Sequence, residues 1–478
     1  MKNELKQNLL NATVFKILFF VLALISFNGI FARRNITTTF AYIIAALGGM
    51  FFIYRLINYK KFVSSKGIFL LIAFCGSYAL SSLVTRQYGL GENIQAMIWM
   101  VIQFFILYAY DKSQSIDNDK KELNIIAHFF MIYTFIACAV GIAMLITDYY
   151  SFEVRDETSI IMGFLWNRLW GLYTDPNYGA VFSVVTMVLS AFYFKLASKP
   201  VKAFYIVNCI LQLLYIAFSD SRTGLISMFV TFFALSYLLL LRWKKIENKN
   251  VFLKGSICIA LSLVVVATSF VVIKGFTTTG NTLKSIQYDY HVEHGTNPGK
   301  VDKDKTDSEI GRQQEDINGD VSNRRFSLWK SGLEIFATKP LTGISFRNYI
   351  PYAHDYLPET YIVNNDQTDF ASMHNSFIDV LVSQGIIGVV IIALFISIVV
   401  FTILKKLFKL KGDDYKYSVF LLCSILPILS SMMFYSETFY MNTGGAVIFW
   451  LFLGYLMHML TKSDKDNKLV IKLKGKQK

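Results

Sequence analysis

Uninterrupted apolar runs of about 20 residues recur from one end of this 478-residue chain to the other. Each is long enough to cross the hydrocarbon core of a bilayer. Inside lipid every backbone polar group needs an internal partner, so such runs must be helices. Hydrophobic residues make up 54% of the chain and charged residues only 17%, below the roughly 25% usual for soluble domains. The runs predict twelve spans. The first six are 12–32, 37–57, 67–84, 93–110, 123–147 and 177–197; the last six are 203–219, 223–242, 251–275, 376–404, 415–435 and 444–461. The fold class is therefore all-α: a polytopic membrane protein with about twelve transmembrane helices and one large extracytoplasmic loop. The first run follows Lys2 and Lys6 with no small-residue cleavage site and reads as a helix rather than a leader.

Charge is distributed unevenly. Residues 276–375 hold 10 Lys/Arg against 14 Asp/Glu, a net of −4, which leaves +18 on the rest of a chain whose total is +14. Basic connections at Lys60–Lys61, Lys120–Lys121, Lys199 and Lys202, Lys244–Lys245 and Lys405–Lys406, with the lysine-rich tail, alternate with poorer ones. The positive-inside rule then places both termini in the cytoplasm, with Arg33–Arg34 as an exception. This asymmetry is that of a membrane protein and excludes a nucleic-acid binder. Four regions follow: 1–275 with about nine spans, the extracytoplasmic loop 276–375, 376–461 with about three spans, and the basic tail 462–478. The five cysteines all lie in apolar runs with no C-x-x-C pair, so they read as small hydrophobes.

Two outer segments are long. Asp148–Pro176, with Arg155, Trp166, Arg168 and Trp170, is apolar enough to lie on the membrane surface. The 276–375 loop begins with a polar stretch through "TNPGKVDKDKTDSEIGRQQEDINGD" whose composition is that of a flexible segment. It then turns to "RRFSLWKSGLEIFA", where Phe326, Trp329, Leu333 and Phe336 recur at helical spacing. This predicts an amphipathic helix over 324–337, capped by Ser322 or Asn323 and stopped before Pro340, resting at the membrane boundary.

Polar residues that could carry chemistry collect at the outer ends of the spans. "FSDSRTGL" (218–225) leaves almost no loop between two spans, so Arg222 sits at the boundary beside Asp220. It is either a snorkelling arginine paired with that carboxylate or an anion site, since a guanidinium fork matches two phosphate oxygens. Arg324 and Arg325 begin the amphipathic helix, where cations are disfavoured unless an anion lies against them and the helix amides. His374 and Asn375 precede a span; His374 is either a polar boundary residue or a group that exchanges a proton near neutral pH. Asp175, Pro176 and Asn177 read as a turn and helix start, which suffices to explain them. His128 and His458 need no functional reading.

At four places the chain resembles the O-antigen ligase and polymerase superfamily: "DPN" at 175–177, "SRTGL" at 221–225, "RFSLW" at 325–329 with "KPLTGISFRNY" at 339–349, and "HNSFIDVLVSQGIIG" at 374–388. The resemblance spans roughly 120–405. It implies a membrane glycosyltransferase of the bacterial cytoplasmic membrane with an extracytoplasmic active site. The donor would be an undecaprenyl-diphosphate-linked glycan; no metal, cofactor or nucleotide sugar is implied. Arg222 and Arg325 would hold the diphosphate and His374 would act at the acceptor. Arg324, Arg168, Asn177 and Asn375 complete the substrate-binding candidates. Implied partners are the lipid-linked donor and acceptor glycans, membrane lipid, a flippase and a chain-length regulator. A polysaccharide polymerase and a ligase moving a finished glycan would use one such site alike. A flippase or transporter would instead need charges deep in the spans. The chain departs from the family at "LTGIS", where a second glycine is commoner after Gly343.

Overall fold

A computed structural model describes residues 12–156, 158–293, 310, 324–365 and 369–474. Its elements run α1 (Ala12–Ser26), α2 (Asn35–Ile57), α3 (Ile68–Val84), α4 (Leu90–Ile102, continued by a π-helical turn Gln103–Tyr108) and α5 (Ile116–Ile146). Strands β1 (Tyr150–Arg155), β2 (Thr158–Leu165) and β3 (Arg168–Gly171) follow. Then come α6 (Pro176–Phe194), α7 (Lys199–Ser219), α8 (Arg222–Leu240), α9 (Val251–Glu293), α10 (Arg325–Thr338), α11 (Tyr349–Tyr356), α12 (Ser376–Lys406), α13 (Gly412–Ser431) and α14 (Gly444–Lys474). Twelve of these helices correspond one for one to the predicted runs. Among the described residues nine are long and apolar enough to cross a membrane; α1 and α3 are shorter apolar helices. The remaining match is α13, with Asp413, Asp414 and Lys416 near its start and Pro427 inside.

The helix connections sort to two ends. At one end the lysine-bearing turns meet: Tyr110 pairs with Thr461 at 3.0 Å, Lys120 with Asp414 at 3.0 Å, and Arg242 donates to the Phe408 carbonyl at 2.6 Å. At the other, Asn28 bridges Tyr173, Lys284 contacts Asp148, Asn348 donates to Thr85, and the Ser376 amide donates to the Met432 carbonyl.

Three features of that second end differ from the sequence reading. The 148–176 segment folds into an antiparallel sheet, β1-β2-β3. Its β2–β3 turn, Trp166–Asn167, has both residues at positive φ (54° and 59°), the geometry of a tight hairpin that glycine would ordinarily announce. Span α1 stops at Ser26 instead of 32, because Gly29 turns aside to donate to the Leu172 carbonyl at 2.7 Å. Helix α9 continues past 275 to Glu293, so the start of the predicted loop is helical. Lys284 and Gln287 anchor that extension on Asp148 and the Ile146 carbonyl, contacts that outweigh its run of threonines. The polar stretch from 296 to 320, except Ile310, and both proposed caps, Ser322 and Asn323, lie outside the described residues.

The amphipathic helix forms as α10, but with a different buried face. Leu328, Ser331, Gly332 and Ile335 are buried, while Phe326 and Leu333 are exposed. Gly332 is the reason: a Cβ there would stand 3.1 Å from Ile378 of α12 and from Met373, so the bare backbone of α10 is what approaches α12. Phe326 and Leu333 are thereby turned outward, while Trp329 stays half-buried and donates to the Met373 carbonyl at 3.1 Å.

Beyond α10 the chain docks on a break in α12. Gly385, at φ 61° and ψ −160°, interrupts that helix. The Ile344 and Ser345 amides donate to the Val382 and Ser383 carbonyls, and the Ile386 amide donates to Pro340. Gly343 and Gly385 interlock, since a Cβ on either would lie within 2.6 Å of the partner segment's backbone. Ser345 itself stands at φ 68° and ψ 150°, a region almost reserved for glycine. That strain is offset by hydrogen bonds between Ser345 Oγ and the hydroxyls of Ser82 (2.9 Å) and Ser81 (3.0 Å).

Candidate functional site

Helix starts place the candidate residues. Asp175 caps α6 by accepting from the Asn177 amide at 2.7 Å, with Pro176 at the first helical position. Ser221 caps α8 by accepting from the Gly224 amide at 2.9 Å. Gly224 lies against Ala180 so closely that a Cβ would approach it to 2.5 Å. That contact brings the two caps together: Ser221 Oγ donates to Asn177 Oδ1 at 2.7 Å, with Arg222 as the next residue. From the hairpin, Arg168 Nη2 donates to the same Asn177 oxygen at 3.3 Å, and its Nε donates to the Ser219 carbonyl at 2.9 Å. Asn177 therefore gathers Arg168, the cap of α8 and Asp175, to which its Nδ2 donates at 2.8 Å.

Arg325, His374 and Asn375 meet on the connection between α13 and α14, a segment the sequence reading passed over. Met432 accepts from the Ser376 amide at 2.9 Å. Met433 accepts from Asn375 Nδ2 at 3.1 Å. The Phe434 ring lies 5.4 Å from the Arg325 guanidinium carbon. The Tyr435 ring stands edge-on to His374 at 6.2 Å; its hydroxyl donates to Asp175 Oδ2 at 2.8 Å and accepts from Asn177 Nδ2. Ser436 donates to Asp379, whose other oxygen accepts from the Met373 amide at 2.9 Å. Residues 432–436 thus touch the α6 cap, the start of α10 and the turn before α12. Only the run of polar and aromatic types in "FYSETFY" marked this connection, and nothing in its spacing pointed to a site.

Asn375 is occupied structurally: its Oδ1 caps α12 by accepting from the Phe377 and Ile378 amides. Arg325 opens α10, and Arg324 is the residue before it, at φ 66°. His374 (φ 47°) and Asp220 (φ 45°) share that left-handed conformation. Three motif turns are therefore held in a conformation that non-glycine residues adopt at some cost. Arg168, Asp175, Arg222, Arg324, Arg325 and His374 are all half-buried, a position that weakens solvation without closing access.

Charge in this rim is mixed. Burial pushes the His374 imidazole below the ordinary histidine value, and Arg325 pushes it further, while Asp175 opposes them. Burial and the neighbouring Asp175 carboxylate raise the Tyr435 phenol, so it remains a hydrogen-bond donor at neutral pH. Glu437 is lifted by burial to about 8 and holds Ser431 at 2.9 Å. Among the described residues no group of His, Cys, Asp and Glu is arranged to hold a metal ion.

No curated protein matches the chain. A family model described as O-antigen ligase matches residues 207–393, which carry Arg222, Arg325 and His374 but end before the 432–436 connection. That match, over the stretch from α7 into α12, supports the O-antigen ligase and polymerase superfamily.

Proposed function

We propose that the chain is a polysaccharide polymerase of the bacterial cytoplasmic membrane, joining undecaprenyl-diphosphate-linked repeat units at its extracytoplasmic face. The observation that carries this reading is the convergence of three separate motif turns on one polar rim around residues 432–436. The family match points to glycosyl transfer from lipid-linked glycans. The donor's leaving group is a diphosphate whose negative charge grows as the anomeric C–O bond breaks. Arg222 and Arg325 stabilise that charge in a half-dehydrated groove, with Arg168 and Arg324 at its edges. Losing one such donor typically costs about 3 kcal/mol. His374 takes the proton of the acceptor hydroxyl, a contribution of about 10²–10⁴ in rate. The hydroxyl attacks from the face opposite the diphosphate and inverts the anomeric centre. Asn177 and Asn375 serve by fixing the helix starts. The membrane holds both lipid-linked substrates in one plane.

The chain's richness in Lys, Ile and Asn suggests an AT-rich, Gram-positive source, which favours a polymerase over a ligase acting on a lipid core. Deleting the gene and resolving surface glycans on a gel tests the reading. A single capped repeat unit supports the polymerase. Full-length chains left on the carrier lipid support a ligase, and an unchanged ladder contradicts both.

A further inference from the structure

Tyr435 lies outside the family match, is 6% exposed, and joins the α6 cap to the turn before α12. Its ring packs on Tyr178 at 5.2 Å and on His374 at 6.2 Å. Its carbonyl accepts from Ser376 Oγ at 2.7 Å, which ties it to the first residue of α12. Its hydroxyl sits between Asn177 Nδ2 and Asp175 Oδ2. The charges that act on the His374 imidazole are Arg325 from α10 and Asp175 from the α6 cap, and the rings of Phe370 and Tyr435 stand edge-on to it at 6.1 and 6.2 Å. On its own helix, Asp379 holds the preceding Met373 amide.

A carboxylate beside an imidazole favours the imidazolium, which cannot accept a proton. A hydroxyl donating to that carboxylate forms a charge-assisted bond that fixes the carboxylate's direction. Resting on the functional reading above, we propose that Tyr435 is a positioning residue: its hydroxyl engages Asp175 and keeps that carboxylate off His374, leaving the imidazole free to take the acceptor's proton. Tyr435→Phe keeps the ring contacts and removes the hydroxyl, both its donation to Asp175 and the bond it accepts from Asn177. Asp175 Oδ2 then turns toward the imidazole.

The test needs no substrate. Full-length protein in lipid nanodiscs, labelled at the histidine imidazole carbons, is titrated by NMR. The His374 resonance, one of six, is assigned by its loss in His374→Gln. Tyr435→Phe is expected to raise the His374 midpoint by about one pH unit. Asp175→Asn in the otherwise native protein is expected to move it by no more than a few tenths, and the Tyr435→Phe/Asp175→Asn double variant to lose the rise. An unmoved midpoint in Tyr435→Phe overturns the proposal, as does a rise that survives in the double variant. Should Tyr435→Phe fail to fold, Asp175→Asn decides alone: a fall of a full unit would mean Asp175 already engages His374. The functional reading fails separately, through normal surface glycans in a His374→Ala strain.

Discussion

The two ends of the helical bundle both bury polar and charged groups, and they use them differently. At the lysine-rich end, charges answer each other. Lys16 of α1 and Glu122 of α5 form an ion pair at 2.9 Å with side chains 9% and 7% exposed. His458 of α14 binds Asp119 at 2.5 Å. Both Lys16–Glu122 and Asp119 border a cavity of about 870 Å³. At the motif end, Arg168 donates to a carbonyl and an amide oxygen, Arg325 lies over the Phe434 ring, and the Asp175 carboxylate is occupied by Asn177 and Tyr435. One arrangement closes charge upon charge and stabilises helix packing. The motif end holds an ion pair too, Lys284 with Asp148, but around its turns Arg168 meets carbonyl and amide oxygens and Arg325 meets a ring, beside a histidine.

This contrast makes the largest prediction. Arg222→Ala, Arg325→Ala and His374→Ala each reduce polymer by about a hundredfold or more while the protein still inserts, as read from surface-glycan gels and membrane fractions. Lys120→Ala, at the other end, leaves the ladder intact. Arg222→Lys also falls short, because a point charge does not replace the guanidinium fork. Next in size is Glu122→Gln, which leaves Lys16 buried without its carboxylate. It lowers stability by about 3–5 kcal/mol, visible as a fall in thermal midpoint in detergent. Arg325→Ala moves that midpoint far less; equal falls would erase the distinction between the two ends.

A smaller effect belongs to the strained docking segment. Ser345→Ala keeps φ at 68° and loses two hydroxyl contacts, costing about 1–2 kcal/mol in the same melt. Ser345→Gly loses the contacts but relieves the backbone, so it lies closer to the native protein. The smallest effect is on pH. A base must be neutral to act, and burial with Arg325 holds His374 below the ordinary value of about 6.5. The rate therefore rises with pH along a limb lying below 6.5 and is flat above it. A limb centred above 6.5 in the purified enzyme would break that assignment.

Much of the bundle was legible in the sequence, because lipid permits so few spanning structures. All twelve apolar runs appear as helices, with ends shifted where tertiary contacts intervene, as at Gly29 and Lys284. The amphipathic helix was legible as a helix but not in its buried face, since periodicity weighs large apolar residues and Gly332 carries no weight. The hairpin was hidden by a turn built from Trp166 and Asn167 in place of glycine. For the site, arginine and histidine were visible as chemistry at span ends. Their meeting place was not, because Tyr435 is about 260 residues from Asp175, and only the packing of α6, α8, α12 and α13 joins them.

The account stands or falls on a diphosphate held by arginines from separate turns of one rim. Binding of undecaprenyl diphosphate to the full-length protein in nanodiscs tests this without knowledge of the sugar. Arg222→Ala and Arg325→Ala should each weaken binding by about tenfold or more, with Lys16 and Lys120 variants unaffected. Equal affinity across wild type and both arginine variants would contradict the account.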